Sequence, residues 1–305
     1  MNAISCKLQV LAQETLAPDI RRLVVQWQDT RHEPHAGQFY MLRAWAPDAT
    51  PILSRPISVD DFDNQSGALT FLYQVKGEGT QKLAALQPGQ TLTVTGPCGN
   101  GFDAAALAGQ YHKIAVVGGG IGTAPLLLLC KQLCRAGVRP DLYVGFRDEP
   151  YGMESFVPWC HTIHLATDSG AHGHHGLVTD LLDAANYDVV LTCGPMVMMR
   201  GVAKLCAAAG TPCLASLEKK MACGLGACLG CTCHTKVGPR TVCKDGPVFK
   251  AEEVFDLWQT CMWIFSASGW PARSSPPPEP SDSARNMPIS RTCVCWAAFP
   301  ARALP

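Results

Sequence analysis

The chain of 305 residues carries no surplus of either charge: 25 lysines and arginines stand against 25 aspartates and glutamates. A non-specific nucleic-acid binder needs a basic excess to displace counterions, so no nucleic-acid partner is expected. Long apolar runs are missing too. The longest uncharged stretch, Ile114 to Cys130, is broken by GGGIG and Pro125, so no membrane-spanning helix is expected. The opening residues, MNAISCKLQV, lack a basic segment leading into an apolar core, and a secretory signal is not expected there. That disfavours a secreted disulfide scaffold and makes a cytoplasmic location the expectation. No internal repeat is found. What the sequence has in excess is cysteine, sixteen residues, which in a reducing compartment points to metal or redox roles. The length suggests about two domains, and an apolar share of 47% is enough for a sizeable core.

Four stretches differ in rhythm. From Ser5 to Gly101, short segments over Cys6–Val10, Arg22–Trp27, Gln38–Leu42, Ile52–Val59, Leu69–Val75 and Thr91–Thr95 read as strands separated by turn formers. Leu69, Phe71, Tyr73 and Val75 recur at every second place, the mark of a half-buried strand. This favours an antiparallel barrel or sandwich, with a short helix over Thr80–Leu86. From His112 the rhythm becomes strand, helix, strand: Lys113–Val117, Pro125–Ala136 and Leu142–Phe146, then Asp188–Thr192 running into a helix over Met196–Ala209. Such alternation predicts a doubly wound parallel sheet. Glu218 to Phe255 is cysteine-dense and too small for an apolar core of its own. From Leu257 the composition shifts again, with Pro276-Pro277-Pro278, no lysine, and Trp258, Trp263, Trp270 and Trp296 among the chain's seven tryptophans.

The cysteine run MACGLGACLGCTCHTKVGPRTVC carries the strongest chemistry. Cys223, Cys228, Cys231 and Cys243 give C-x4-C-x2-C and a later cysteine, the plant-type [2Fe–2S] spacing. Gly224, Gly226 and Gly230 let the backbone approach the sulfides. The alternatives are zinc held by Cys228, Cys231 and two others, a redox pair at Cys228 and Cys231, or inert core thiols. Zinc sites usually show paired knuckles, and one is present here. Cys233 alternates out of the loop as a spare thiol, and His234 reads as a surface residue.

Weaker signals lie elsewhere. Gly120-Ile121-Gly122-Thr123-Ala124-Pro125 departs from G-x-G-x-x-G but follows an apolar strand and opens a helix, where backbone N–H groups can hold a pyrophosphate; a plain strand–helix turn is the alternative. Cys193-Gly194-Pro195 would share the carboxyl edge of the same sheet. In the barrel, Arg55 could pair with a phosphate, Ser58 could hydrogen-bond a ring, and Gly79-Thr80 could bind an anion, each equally readable as a turn or cap. His172, His174 and His175 sit among glycines and suggest a solvent loop.

Together these motifs become specific. RPIS at 55–58, GEGT at 77–80, GPCGNGF at 96–102, GGGIGTAP at 118–125 and CGPM at 193–196 occur in the order seen in the ferredoxin–NADP reductase superfamily. LEKKMACGLGACLGCTCH followed by VCKDGPVF resembles the electron-transfer subunits of type B dihydroorotate dehydrogenase, the PyrK family. The resemblance implies a multidomain β plus α/β architecture: an antiparallel FAD-binding β-barrel over 1–102, a doubly wound NAD-binding domain over 103–217 and a small [2Fe–2S] domain over 218–256. Residues 257–305 have no counterpart; they look like a disordered extension or a shifted reading frame and receive no function. Arg55, Pro56, Ile57, Ser58, Leu72, Tyr73, Gln74, Gly79 and Thr80 would bind one FAD. Gly120, Gly122, Cys193, Gly194 and Pro195 would face NAD. Cys223, Cys228, Cys231 and Cys243 would hold one [2Fe–2S] cluster.

NADH gives electrons as a hydride pair and a cluster takes them singly, so a flavin between the two is chemically required, and no side chain need act as acid or base. Lys219, Lys220, Lys236, Arg240 and Lys244 surround the cysteines in sequence and would raise the cluster potential, form a docking face, or simply be solvated. The resemblance implies an oxidoreductase subunit partnered with an FMN-containing catalytic subunit, two of each, in pyrimidine biosynthesis. The alternatives are a stand-alone NAD(P)H-dependent flavin and iron–sulfur reductase, and a zinc-stabilised nucleotide-binding regulator.

Overall fold

Alternation in the first third of the chain builds a closed barrel. The computed structural model describes residues 3–27 and 33–255. Strands β1 (Ile4–Ala17), β2 (Ile20–Gln26), β3 (Phe39–Arg43), β4 (Arg55–Asp63), β5 (Ala68–Gln74) and β6 (Thr91–Cys98) close in the order β1-β2-β5-β4-β3-β6, antiparallel throughout. Leu69, Phe71 and Tyr73 point inward as their spacing predicts and are buried. Trp27, Tyr40 and Phe71 fill the centre edge to face, at centroid separations of 5.3 and 5.6 Å. Strand β1 serves both β6 and β2, and a register shift between Val10 and Ala12 lets one long strand turn the barrel's corner.

The barrel differs from expectation at its edges, and β1 runs on to Ala17, seven residues past the expected end at Val10. Strand β4 begins at Arg55 rather than Ile52, leaving residues 52–54 in an exposed loop, with Ile52 75% exposed. Helix α1 spans Glu78–Ala84, two residues ahead of the predicted start. The reason is Thr80: its Oγ1 accepts from Lys76 N–H at 2.9 Å and Gly77 N–H at 3.1 Å, which closes the turn around Gly77. Helix α2 (Ala104–Gln110) was not expected and is capped by Asp103, whose Oδ1 accepts from Ala106 N–H at 3.0 Å.

The second layer is the predicted doubly wound sheet. Strands β7 (Ile114–Gly119), β8 (Asp141–Phe146), β9 (Ile163–Thr167), β10 (His174–His175), β11 (Val189–Cys193) and β12 (Cys213–Ser216) run parallel in the order β10-β9-β8-β7-β11-β12. All six residues of β7 are buried, as a central parallel strand requires. Helix α3 (Ala124–Arg135) follows β7 and packs against β4 of the barrel, where Lys131 Nζ meets Asp61 Oδ2 at 2.5 Å. Helix α4 (Met196–Ala209) follows β11 and ends at Gly210, φ +72°.

The cysteine-dense segment is joined to both layers. It contributes the hairpin β13 (Thr232–Thr235) and β14 (Gly238–Thr241), and then β15 (Val248–Lys250), which adds to β12 as an antiparallel edge strand. Asn100 N–H donates to Gly246 O at 2.6 Å, and its Nδ2 donates to Lys244 O at 3.1 Å. A Cβ on Gly99 would meet Pro247 Cδ at 2.7 Å. GPCGNGF is thus the seam that fastens the segment to the barrel. No helix among the described residues is long and apolar enough to cross a membrane. The composition shift at Leu257 lies outside the described residues.

Candidate functional site

Barrel, sheet and cysteine segment meet at one cleft. It is lined from β4 by Pro56, Ile57 and Ser58, and from β5 by Leu72, Tyr73 and Gln74. Ile121 comes from the glycine turn after β7, Ala124 and Pro125 from the start of α3, and Cys193 from the end of β11. Ser216, Leu217, Glu218, Lys219 and Met221 complete the wall. The sequence expected the first six at the flavin and Cys193 at the nicotinamide; the fold brings both sets to one surface. Leu72 reaches it because β5 alternates: Phe71 and Tyr73 fill the barrel while Leu72 packs beside Ala124. Gln13 Nε2 donates to the Tyr73 hydroxyl at 2.9 Å, and Gln74 donates to Asp19.

Arg55 stands beside this cleft. A Cβ on Gly79 would lie 2.5 Å from Arg55 Nε, so the guanidinium rests directly on this turn and a larger residue there would displace it. The Thr80 hydroxyl is spent inside the turn, donating to Gly77 O at 2.9 Å while accepting from two N–H groups. It shapes the loop and leaves the charge to Arg55.

The glycine turn and the CGP turn lie side by side because β11 pairs with β7 in parallel, Cys193 opposite Gly118. A Cβ on Gly122 would overlap the Gly194 backbone, and one on Gly194 would meet Met198 Cε at 2.8 Å. Gly120, at φ +53°, has open space where a Cβ would go. The turn first forms a single tight helical turn over Gly120–Thr123, and α3 starts only at Ala124. Burial pushes the Cys193 thiol up to about 12, nearby Glu218 adds to this, and a Ser216 hydrogen bond opposes it. Cys193 therefore presents a neutral S–H. Glu218 borders open cleft yet has protein around most of its carboxyl, which raises its pKa against the pull of Lys76.

The four candidate cluster ligands occupy one loop. Cys231 and Cys243 are buried, Cys223 is half-buried and Cys228 is exposed. Backbone N–H groups point at their sulfurs. Gly226 donates to Cys243 Sγ at 3.1 Å, Leu225 and Cys228 to Cys223 Sγ at 3.4 and 3.5 Å, Gly230 to Cys228 Sγ at 3.5 Å, and Cys243 to Cys231 Sγ at 3.4 Å. Burial works to raise the Cys223 thiol, but the N–H groups of Leu225, Cys228 and Ala227, with the Cys228 thiol, bring it down to about 6. Gly224 and Gly226, at φ +71° and +82°, take left-handed conformations, and Leu229 does so at φ +57°. The thiols associate as Cys223 with Cys228 and Cys231 with Cys243. Two pairs of thiols surrounded by N–H donors fit a [2Fe–2S] cluster, which Cys223, Cys228, Cys231 and Cys243 would hold and which would exchange electrons singly. Among the described residues, no three His, Cys, Asp or Glu side chains gather as ligands of a single metal ion.

The residues beside the ligands divide. Cys233 is buried on β13 and His234 is exposed, as the alternation implies. Lys244 lays its stem over Gly226, Arg240 pairs with Asp245 at 4.0 Å, and Lys219 lines the cleft. Lys236 instead borders a separate cavity beside α4. His172 pairs with Glu149 at 3.0 Å in an exposed loop. Sequence reasoning did not single out Phe39, Lys76, Ser216, Glu218 or Met221 for the cleft. Glu218 and Met221 lie within the LEKKMACG signature and were readable; Phe39, Lys76 and Ser216 carry no local pattern.

Comparisons with known proteins agree with this layout. Residues 218–255 match the iron–sulfur cluster binding domain of dihydroorotate dehydrogenase B, and residues 7–102 the oxidoreductase FAD-binding domain. A dihydroorotate dehydrogenase B (NAD(+)) electron transfer subunit from Clostridium acetobutylicum is 46% identical over 222 residues, 73% of this chain and 87% of that one. The subunit of the same name from Caldanaerobacter subterraneus subsp. tengcongensis is 38% identical over 256 residues, covering 81% and 97%. The structure of an NADH-dependent reduced ferredoxin–NADP oxidoreductase superposes with a TM-score of 0.70 at 25% identity, covering 84% of this chain and 93% of that one. The ferredoxin reductase of carbazole 1,9a-dioxygenase, at 19% identity and a TM-score of 0.57, shares the fold. With its FAD-binding barrel, doubly wound sheet and paired-cysteine loop, this chain belongs to the family of dihydroorotate dehydrogenase B (NAD(+)) electron transfer subunits.

Proposed function

We propose that the chain takes electrons from a dihydroorotate-oxidising, FMN-containing catalytic subunit and delivers them to NAD+ in pyrimidine biosynthesis. The observation that carries this is the single cleft where the RPIS strand, Cys193 and the start of the cysteine segment meet. When bound, FAD exchanges electrons singly or in pairs and a [2Fe–2S] cluster exchanges them singly. The protein's own part is positional. Phe39, Leu72 and Ile121 give the cleft apolar walls, and the neutral Cys193 thiol with Ser216 presents uncharged polar groups at the place assigned to a nicotinamide, with Glu218 and Lys219 beside them. Arg55 over Gly79 supplies a fixed cation for a phosphate. The N–H groups of Leu225, Cys228 and Ala227 favour thiolate at Cys223, whereas burial and the neighbouring Cys231 thiol push Cys243 up.

Residues 1–102, 103–217 and 218–256 are assigned to the flavin, the nicotinamide nucleotide and the cluster. Gly120, Gly122, Gly194 and Pro195 form the edge facing NAD. Cys228 is exposed between Leu225, 47% exposed, and Leu229, 63% exposed. That apolar rim supports docking of the catalytic subunit there, two copies of each chain forming the assembly. Thirteen free cysteines among the described residues support a reducing, cytoplasmic setting.

The test is a visible spectrum with iron and acid-labile sulfide analysis, followed by NADH oxidation with an artificial acceptor. Flavin, two irons and two sulfides per chain, NADH turnover, and co-purification with an FMN protein oxidising dihydroorotate are expected. A colourless zinc protein would overturn the relay. A coloured, active chain with no such partner would instead be a stand-alone reductase.

A further inference from the structure

The barrel surface next to the cleft carries cations gathered around one indole. Trp45 lies on the loop after β3, packed against the barrel core and half-open to solvent. The guanidinium carbons of Arg43 and Arg55 each stand 5.8 Å from its ring centroid, and Lys82 Nζ stands at 5.9 Å. The donors of all three reach carbonyls of the same loop: Arg43 to Ala46 at 3.3 Å and Pro47 at 2.9 Å, Arg55 to Leu53 at 2.6 Å, and Lys82 to Thr50. Glu78 pairs with Lys82 at 3.0 Å, whereas Arg43 and Arg55 make no ion pair among the described residues. Arg43 Nε is buried without an acceptor. Like charges held together repel, and a buried N–H without a partner is costly, so both features call for an anion. Beside the indole, Ile52 is 75% and Leu53 is 46% exposed, which offers apolar surface to a flat ring.

Order along the surface identifies that ligand. Pro56, Ile57 and Ser58 line the cleft, Arg55 precedes them and rests on Gly79, and the same Arg55 reaches Trp45. A flavin dinucleotide has ring, diphosphate and adenine in this sequence. We propose that Trp45, with Arg43, Arg55 and Lys82, seats the adenosine monophosphate half of FAD, so that this indole selects FAD over FMN. The proposal rests on the cleft being the flavin site.

Full-length protein freed of flavin is titrated with FAD and with FMN, and ADP is tested for displacement of FAD. Trp45→Ala should weaken FAD binding roughly 10- to 100-fold, the range of base–aromatic stacking, and leave FMN within about twofold. Trp45→Phe should keep most of the affinity, and ADP should displace FAD from the wild type but not from Trp45→Ala. Equal losses for FAD and FMN, an unchanged FAD affinity, or no displacement by ADP would overturn the assignment. If Trp45→Ala does not fold, Arg43→Gln with Lys82→Gln decides by the same FAD-to-FMN ratio. Wild-type protein that binds FMN more tightly than FAD, or binds neither, would instead remove the flavin reading beneath it.

Discussion

Cys228 and Cys233 lie on one short segment, yet their surroundings assign them opposite roles. Cys228 is exposed, receives the Gly230 N–H and associates with Cys223, while Cys233 is buried on β13 opposite Arg240. Cys228→Ser should lose more than half of the bound iron and most of the cluster absorbance with flavin retained. Cys233→Ser should keep both, as iron analysis and visible spectra will show. Asp60 makes a different residue-scale case. Its carboxyl is buried in the barrel, 3.9 Å from Arg22 Nε, with Oδ2 lacking a hydrogen-bond donor. Desolvation raises its pKa to about 7, Asp61 adds to the rise, and Arg22 and Lys131 oppose it. A carboxyl that keeps its proton longer when folded contributes stability below its unfolded value, near 4, and loses it as pH rises towards 7. Asp60→Asn removes that loss. Its melting temperature relative to wild type should rise by about 5 °C between pH 5 and pH 8, and a difference constant with pH would contradict the burial argument.

Elements were legible where periodicity is strong and hidden where short pieces depend on neighbours. The alternation in β5 and the apolar run of β7 placed barrel and sheet directly. Strand β12 has four residues and β15 three; β12 pairs with β11 and β15 completes the edge beyond it, so each depends on distant chain. No local pattern announces them. The glycine turn was read as a helix entrance for phosphate. Its fuller meaning appears only when β11 lies beside β7 and Gly122 meets Gly194. The C-x4-C-x2-C spacing was legible because its ligands are local, whereas Ser216 and Lys76 reach the cleft through tertiary folding. Gly122→Ala tests the contact between the two turns. The added Cβ would strike the Gly194 backbone, which cannot move aside as a flexible side chain would. NADH turnover with an artificial acceptor should fall at least tenfold while iron content stays within about 20% of wild type. Unchanged turnover would detach this seam from the nicotinamide site.

At the scale of the whole molecule, the cysteine segment is fastened to both layers and still opens one edge of its loop to solvent. β15 joins the sheet, Asn100 and Gly246 join the segment to the barrel, and Cys228 with Leu225 and Leu229 remains on the surface. A loop anchored on its inner side and apolar on its outer side is suited to a partner that must bring a redox group close without disturbing the cleft. Leu229 sharpens the point. Its φ of +57° is a left-handed conformation that costs a leucine about 1 kcal/mol or more, and it is 63% exposed, so the isolated chain gains little by keeping this side chain there. Leu229→Asn keeps the backbone conformation and removes the apolar surface. It should weaken association with the catalytic subunit at least tenfold, measured by gel filtration and titration of the purified chains. NADH oxidation with an artificial acceptor should stay within about twofold, because the cleft lies elsewhere on the chain. If association survives Leu229→Asn combined with Leu225→Asn, the catalytic subunit docks on another surface, and the route into the cluster must be sought through the buried thiols rather than through Cys228.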